Sequence, residues 1–483
     1  MEPIFQLAIR LPPTGSRDLL RAVHGQLRTA ILDGRLQPGL RLPATRTLAD
    51  SLGVSRNTIV ATYDLLLSEG YLVARPGAGT YVADGLPRPG RAKAPAGDAP
   101  ADRRLAEFWR KLPAGSQSAP NATPRFDFRI GLPDKASFPF PIWRRLSARA
   151  LRDLSKRPAS YADPEGQPVL REAIAKHVSF ARAVACGADD VVVTAGAQQA
   201  FDLLARILVT PGKTEVAIED PSYPPLRAAF AAAGARIAAV PVDREGLIVD
   251  QLPAGTRVIC VTPSHQFPLG TAMSLPRRAA LLDFARANNA VIIEDDYDGE
   301  FRFEGRPLDA LQTLDSPGSV FYVGTFSKSL FPALRLGFVV APPWAHRALT
   351  KAKQWTDWHG AVLAQDTLAA FIAEGHLARH VRKMRKVYGE RRAALLKALA
   401  RHCGNRLQAI PGEAGLHLAT TLTGTLKAKA LAAKAADDGI EILSLDYFTT
   451  QKPMPNGLVF GYGMIESDRI DEAVRRIARA MNR

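Results

Sequence analysis

Residues 319–330 read SVFYVGTFSKSL. The run SVFYVG is apolar enough for a buried strand, and Thr325, Ser327, Lys328 and Ser329 follow at once. A lone lysine is ordinarily a surface residue. At the end of a buried strand, partial desolvation keeps its amine nucleophilic, and neighbouring hydroxyls can receive a phosphate. Arg335, seven residues on, offers a two-pronged phosphate clamp. The pattern suits a lysine that condenses with the aldehyde of a phosphorylated cofactor.

Three further segments fit that chemistry. Residues 290–302, AVIIEDDYDGEFR, place Asp295 and Tyr297 two apart at the end of an apolar strand, on one face. A buried carboxylate there can keep a pyridine nitrogen protonated, and the phenol can bond a ring oxygen. The competing reading is a Mg²⁺ site of Glu294, Asp295, Asp296 and Asp298; it ranks lower because no phosphate-loop lysine motif accompanies it. Residues 193–200, VTAGAQQA, read as strand, glycine turn and helix start, whose free N–H groups face an anion. In 219–223, EDPSY, Tyr223 can stack on a ring or pack in the core.

Around these lie the apolar runs VVVTAG, EVAIED, RVICVTP, AVIIEDDYD, SVFYVGT and LGFVVA, alternating with helical patterns. Such runs predict an α/β fold, a mainly parallel sheet with helices on both faces. After about residue 380 a long basic helix and short strands predict a smaller C-terminal lobe. This body spans 125–483. Before it, 84–124 is rich in Pro, Ala and Gly and reads as a linker with a short helix near Leu105–Leu112. Its cations, Arg88, Arg91 and Lys93 among them, can add contacts to a polyanion.

Residues 14–83 form a small domain of another kind. Leu19, Leu20, Val23, Leu27, Ala30 and Ile31 lie at helical spacing. Leu48, Ala49 and Leu52 line a second helix, Gly53 supplies the turn, and Ser55 caps a third helix with inner residues Ile59, Tyr63 and Leu66. Helix, glycine turn, helix predicts a helix-turn-helix, with Ser55, Arg56, Asn57 and Thr58 offered to base edges and phosphates. Two short strands around the Pro76–Gly79 turn predict a wing. The plainer alternative is a small helical domain that binds protein.

Bulk properties agree. The chain has 483 residues, a net charge of +16 and a pI near 9.9, favouring a polyanion such as nucleic acid. Cys186, Cys260 and Cys403 are scattered and read as reduced thiols. No apolar run reaches the ~20 residues of a membrane span, and MEPIFQLAIR lacks a signal-peptide core, which predicts a cytoplasmic protein without a membrane partner.

Leu42–Ala49, Leu52–Thr58, Glu69–Tyr71 and Pro76–Val82 together resemble the GntR family of bacterial regulators. The resemblance implies that Arg46, Arg56 and the wing tip at Gly77 touch a double-stranded DNA operator. Residues 125–483 resemble the fold type I enzymes that use pyridoxal 5'-phosphate (PLP), the aspartate aminotransferase class. That implies a Schiff base on Lys328, Asp295 at the pyridine nitrogen, Tyr297 at the ring oxygen and Tyr223 stacked on the ring. Ala197, Gln198, Thr325, Ser327 and Arg335 would hold the phosphate. Tyr161, in Tyr161–Gly166, looks like the tyrosine that reaches the phosphate of the neighbouring subunit, which implies a homodimer. Two positions depart from those enzymes. Phe267 stands where they place an asparagine, with His265 or Gln266 as substitutes, and 457–464 holds no arginine for a substrate carboxylate.

The fusion resembles the MocR family, with Ser264–Pro268, Glu294–Asp298 and Gly324–Lys328 as its motifs. The expectation is a PLP-dependent DNA-binding regulator, sensing an amine, an amino acid or PLP through an aldimine at Lys328, with at most residual transaminase activity. The alternative is a functional aminotransferase with an accessory DNA-binding domain.

Overall fold

A computed structural model describes residues 9–13, 18–84, 103–111, 124–303, 308–315, 318–452 and 455–482. Arg88, Arg91 and Lys93, like most of the linker, lie outside the described residues. The chain divides into two compact units, Met1–Asp102 and Arg103–Arg483.

The first unit packs α1 (Leu19–Leu32), α2 (Thr45–Leu52) and α3 (Arg56–Ser68) beside a hairpin of β1 (Leu72–Arg75) and β2 (Gly79–Val82). Val23, Leu27, Ala30, Ile31, Leu48, Ala49, Ile59, Tyr63 and Leu66 form its core, while Leu19, Leu20 and Leu52 stay half-buried. Gly53 ends α2 with φ +65°, a left-handed turn that a side chain would strain. Ser55 Oγ accepts the Thr58 N–H at 3.2 Å and fixes the start of α3.

The second unit begins with α4 (Glu107–Arg110), β3 (Phe126–Asp127), α5 (Phe140–Leu154) and α6 (Pro168–Arg182). Then follow β4 (Val191–Thr194), α7 (Ala197–Leu208), β5 (Glu215–Asp220), α8 (Pro224–Ala232), β6 (Arg236–Asp243), β7 (Gly246–Leu247) and β8 (Thr256–Val261). After them come α9 (Leu275–Asn288), β9 (Val291–Asp296), β10 (Val320–Thr325), β11 (Gly337–Val340), α10 (Pro343–Asp357) and α11 (Val362–Ala373). The C-terminal part is α12 (His376–Cys403), β12 (Leu407–Ala409), β13 (His417–Leu422), α13 (Ala428–Asp437), β14 (Ile440–Glu441), β15 (Leu443–Ser444), β16 (Leu458–Gly461) and α14 (Ser467–Ala480).

Eight strands form one sheet in the order β4-β11-β10-β9-β8-β5-β6-β7. The run from β10 to β6 is parallel, β11 is antiparallel to both neighbours, and β7 turns back on β6. Side chains alternate across it. Val258, Cys260 and Ile293 face α7, whereas Ile259, Val261 and Ile292 pack with Leu281 and Ala285 of α9. The sequence reading missed β6 because only Val240 of its eight residues is buried, so no continuous apolar run marks it.

The smaller lobe is a four-stranded sheet, β12-β13-β16-β15, with α12 against β12, α13 against β15 and α14 packed on both helices. It is not purely C-terminal: β3 pairs in parallel with β14, so the segment that opens the body belongs to the lobe that closes it. Two-residue strands have no periodicity to read. No helix among the described residues is long and apolar enough to cross a membrane.

Candidate functional site

Lys328 stands three residues past β10, and its Nζ donates to Gly131 O at 2.8 Å. Burial pulls its amine below the ordinary lysine value, opposed by Asp298 and Asp295. Gly131 has φ +73°, a left-handed conformation that a side chain would strain, and a Cβ there would lie 2.5 Å from Nζ and displace the amine. Sequence reasoning missed Gly131 because it lies 197 residues from its partner.

Strand alternation splits the acidic run. Asp295 shares the parity of Ile293, while Glu294 and Asp296 share that of Ile292. Glu294 accepts the Leu311 and Gln312 N–H groups at 2.9 and 3.0 Å. Asp296 takes Arg182 Nε and Tyr322 Oη, both at 2.6 Å. Asp298 pairs with His265 Nδ1 at 3.0 Å and accepts the Leu416 N–H. Glu294, Asp296 and Asp298 are therefore committed to separate partners, and among the described residues the four carboxylates do not gather around one cation. Among the described residues the groups that do converge are His265, Asp298 and His417, all buried.

Asp295 is buried, and its Oδ1 has no hydrogen-bond partner. Burial, then repulsion from Asp296, pushes it up to about 8, against the pull of Lys328. Unfolded, an aspartate titrates near ~3.9. A group raised in the folded state contributes stability that is present below the unfolded value and lost as pH rises through the folded one. Asp295 therefore costs the ligand-free protein stability as pH rises from about 4 to about 8. Asp295→Asn is expected to melt roughly 2–4 °C above the native chain at pH 8.5 and to lose that advantage at pH 4. Thermal melts at the two pH values, without ligand, check this; an advantage independent of pH would contradict it. Glu219 and Glu294, both raised by burial to about 7, keep titrating in the variant.

The residues expected to hold a phosphate come together at the start of α7. Thr325 pairs with Gly337, and Gly337 with Thr194, so the ends of β10, β11 and β4 are adjacent. Gly196 caps α7 with φ +77°, leaving the first N–H groups at Ala197 and Gln198 without intrahelical partners. Arg335 Nη2 donates to Ala195 O at 2.7 Å, and a Cβ on Gly196 would come within 2.9 Å of that nitrogen. Thr325 Oγ1 and Ser327 Oγ lie 3.1 Å apart, both buried. Gln198 Nε2 reaches Pro225 O at 3.0 Å while its Oε1 is buried without a partner.

The other wall is aromatic. Phe267 is buried between Tyr223 and Tyr297, each ring 5.6 Å away and nearly perpendicular to it. Tyr297 Oη lies 2.8 Å from His265 Nδ1 and 3.0 Å from His265 O. Asp298 and the Tyr297 phenol thus share one nitrogen, Nδ1 of His265. Of the two suggested substitutes for the missing asparagine, Gln266 is spent on backbone groups, donating to Pro221 O and Phe267 O and accepting from Leu269 N–H. His265 remains, acting on the phenol, with its Nε2 buried and unpartnered. Room for its ring comes from Gly415, where a Cβ would collide with Cε1. Asp298 and Gly415 were invisible as His265 partners because they lie on separate loops.

Tyr161 faces outward, its ring 4.9 Å from that of Trp358 and tilted 34° to it, with Trp355 also strongly exposed. In 457–464, β16 continues into a turn whose carbonyls at Tyr462 and Gly463 accept from Arg391, itself paired with Asp134.

On the first unit, Arg46, Arg56 and Asn57 are exposed, as is Gly77 at the hairpin tip with φ +73°. Ser55 and Thr58 bond each other through their hydroxyls at 2.8 Å, so they set the start of α3 while Arg56 and Asn57 project from it. Arg75, stacked over Tyr81 at 4.5 Å, adds a wing cation that the sequence reading passed over.

Residues 127–477 match the family described as aminotransferase class I and II, and residues 19–82 match the bacterial regulatory proteins of the gntR family. The chain is 37% identical to a probable rhizopine catabolism regulatory protein, MocR, of Rhizobium meliloti, over 95% of this chain and 93% of that one. It is 33% identical to the HTH-type transcriptional regulator TauR of Rhodobacter capsulatus, over 98% of both chains. It is also similar to the crystal structure of a Pyrococcus horikoshii kynurenine aminotransferase in complex with PMP. There the TM-score is 0.73 at 27% identity, over 79% of this chain and 97% of that one.

Proposed function

The chain belongs to the MocR-type regulators of the GntR family, and from that premise we propose that it is a PLP-dependent transcription regulator that binds duplex operator DNA and senses an amine, an amino acid or PLP at Lys328. The observation that carries this reading is the desolvated amine of Lys328 beside the partnerless Oδ1 of Asp295. A buried polar atom left unsatisfied costs about 1–3 kcal/mol. Such a cost is met when a donor arrives from outside, and a protonated pyridine nitrogen is one.

The residues fit the cofactor. Asp295 would hold the proton on the ring nitrogen, Tyr297 would face the ring oxygen with its hydroxyl set by His265, and Tyr223 would stack. Ala197, Gln198, Thr325, Ser327 and Arg335 would hold the phosphate. When bound, PLP supplies an aldehyde carbon that joins covalently to a primary amine, that of Lys328 or of an effector. Desolvation favours the neutral, nucleophilic form of Lys328.

Lys328 also links this site to the smaller lobe. Its partner Gly131 lies in a turn four residues past β3, the strand that pairs with β14. The carbonyls of Arg129 and Leu132 press on Gly461 and Gly463, leaving no room for a Cβ at either. An effector amine that takes the place of Lys328 releases that side chain, and the segment and the lobe respond together. Regulation requires the effector to bind the two states unequally, by about 1–3 kcal/mol. The exposed aromatics Tyr161, Trp355 and Trp358 support a homodimer, in which the two DNA readers change their fit to half-sites. The setting is the cytoplasm. Aminotransferase turnover is disfavoured by Phe267 and by the lack of an arginine in 457–464.

Arg56→Ala is expected to weaken operator binding about 5–150-fold, the ~1–3 kcal/mol that a bidentate pairing with a base edge supplies. Its visible cofactor absorbance stays unchanged. Fluorescence anisotropy on DNA from upstream of the gene checks this, and an unaltered affinity would remove the winged helix from the reading.

A further inference from the structure

The net charge of +16 is unevenly placed. Residues 1–102 hold 12 lysines and arginines against nine acids, so 13 of the 16 net positive charges fall on residues 103–483. Within that unit the densest concentration is α12, HLARHVRKMRKVYGERRAALLKALARHC, with nine lysines and arginines and one acid, Glu390.

Those charges are sorted by face. Leu377, Val381, Met384, Tyr388, Leu395 and Leu399 form the buried side. Arg379, Arg382, Lys383, Lys386 and Lys397 follow the helical repeat on the opposite side, and all are exposed. Arg391, on the inner side, is instead neutralised by Asp134. Among the described residues Arg382, Lys383, Lys386 and Lys397 have no ion-pair partner. Helix α5 extends the patch: its Arg145 and Arg149 both reach Glu374, two residues before α12, so two cations share a single acid there. From Arg379 to Lys397 the stripe runs about 27 Å at 1.5 Å per residue. Duplex DNA carries one phosphate charge per ~1.7 Å of axis, so a row of cations of that length spans most of a ~34 Å helical turn.

We propose that the exposed stripe of α12 is a second, sequence-independent DNA surface, which grips the phosphate backbone of duplex DNA from the aminotransferase-like unit itself. The proposal rests on the reading that this chain binds DNA at all. It assigns most of the salt-sensitive affinity to a part of the molecule that reads no bases. A row of five cations interrupted by a single acid, Glu390, on a helix face with no exposed large apolar side chain, suits a polyphosphate better than a lipid surface, which calls for buried apolar side chains as well.

The test uses the full chain and a duplex of random sequence. Binding constants are measured at a series of NaCl concentrations for the native chain and for R382Q/K383Q/K386Q. Each phosphate that the protein no longer neutralises should lower the slope of log K against log salt by about 0.9, so the triple variant should lose about 2–3 units. K383R/K386R, which keeps the charge, should retain the native slope. A native slope in the triple variant overturns the proposal, as does a native chain with no affinity for random duplex. Phosphatidylserine vesicles form the second arm: capture that disappears in the triple variant while its DNA slope stays native replaces DNA by a membrane. Failure of the winged-helix reading is separate, because Arg56→Ala would then keep the native preference for its upstream DNA whatever the slopes of the α12 variants.

Discussion

Lys328→Ala is expected to abolish the visible absorbance of the protein supplied with PLP, and with it any response of DNA binding to an effector amine. Lys328 lies within electrostatic reach of Asp295, Asp298 and Arg335. A Cβ at Gly131 would lie 2.5 Å from its Nζ. Removing the amine deletes the covalent anchor, so the cofactor should be lost on dialysis; in the native chain, borohydride reduction should fix it to the peptide bearing Lys328. The variant should remain folded. Its one missing hydrogen bond, to Gly131 O, is worth about 0.5–3 kcal/mol, small against the core of a unit this size. A Lys328→Ala protein that keeps a reducible, visible adduct would transfer the chemistry to another lysine.

The largest expected effect on stability belongs to Asp296, the acid directly beside Asp295 in the sequence. Asp296→Ala should destabilise the large unit by about 3–5 kcal/mol, because it strands a buried arginine. Arg182 is only 4% exposed. Its Nε meets Asp296 Oδ2 at 2.6 Å, its Nη2 reaches Ser264 Oγ at 2.5 Å, and its Nη1 bonds Leu308 O. Without Asp296 those partners cannot balance the charge. Urea unfolding of the large unit measures the loss, and Arg182→Met in the same background should recover much of it, since the pair gone together costs less than either alone. A loss under about 1 kcal/mol would mean that water already reaches the guanidinium. Asp296→Ala also removes the repulsion that, after burial, does most to raise Asp295, so Asp295 should titrate lower in this variant. The supporting pair behind the sheet thereby sets the proton affinity of the acid in front of it.

Segments whose meaning is local could be read from the sequence. Ser55 capping α3, Gly53 turning after α2, and Lys328 just past β10 each follow from a few consecutive residues. The six apolar runs correspond to β4, β5, β8, β9, β10 and β11, because strands buried on both faces are written in uninterrupted Val and Ile. Half-exposed β6 and two-residue β3 and β14 have no such spelling.

What the sequence determined alone was therefore the order of elements, the joining of a winged helix to an α/β body, and the residues with the right chemistry at strand ends. Tertiary structure decided which of those residues act together. It paired Lys328 with Gly131, gave the phenol of Tyr297 to His265 and Asp298, turned Asp296 away to Arg182, and left Asp295 with an empty oxygen. The physical reason is that periodicity and capping act over a few residues. Hydrogen bonds between groups 32 to 197 positions apart depend on how layers pack and on where a glycine leaves space for a side chain from elsewhere.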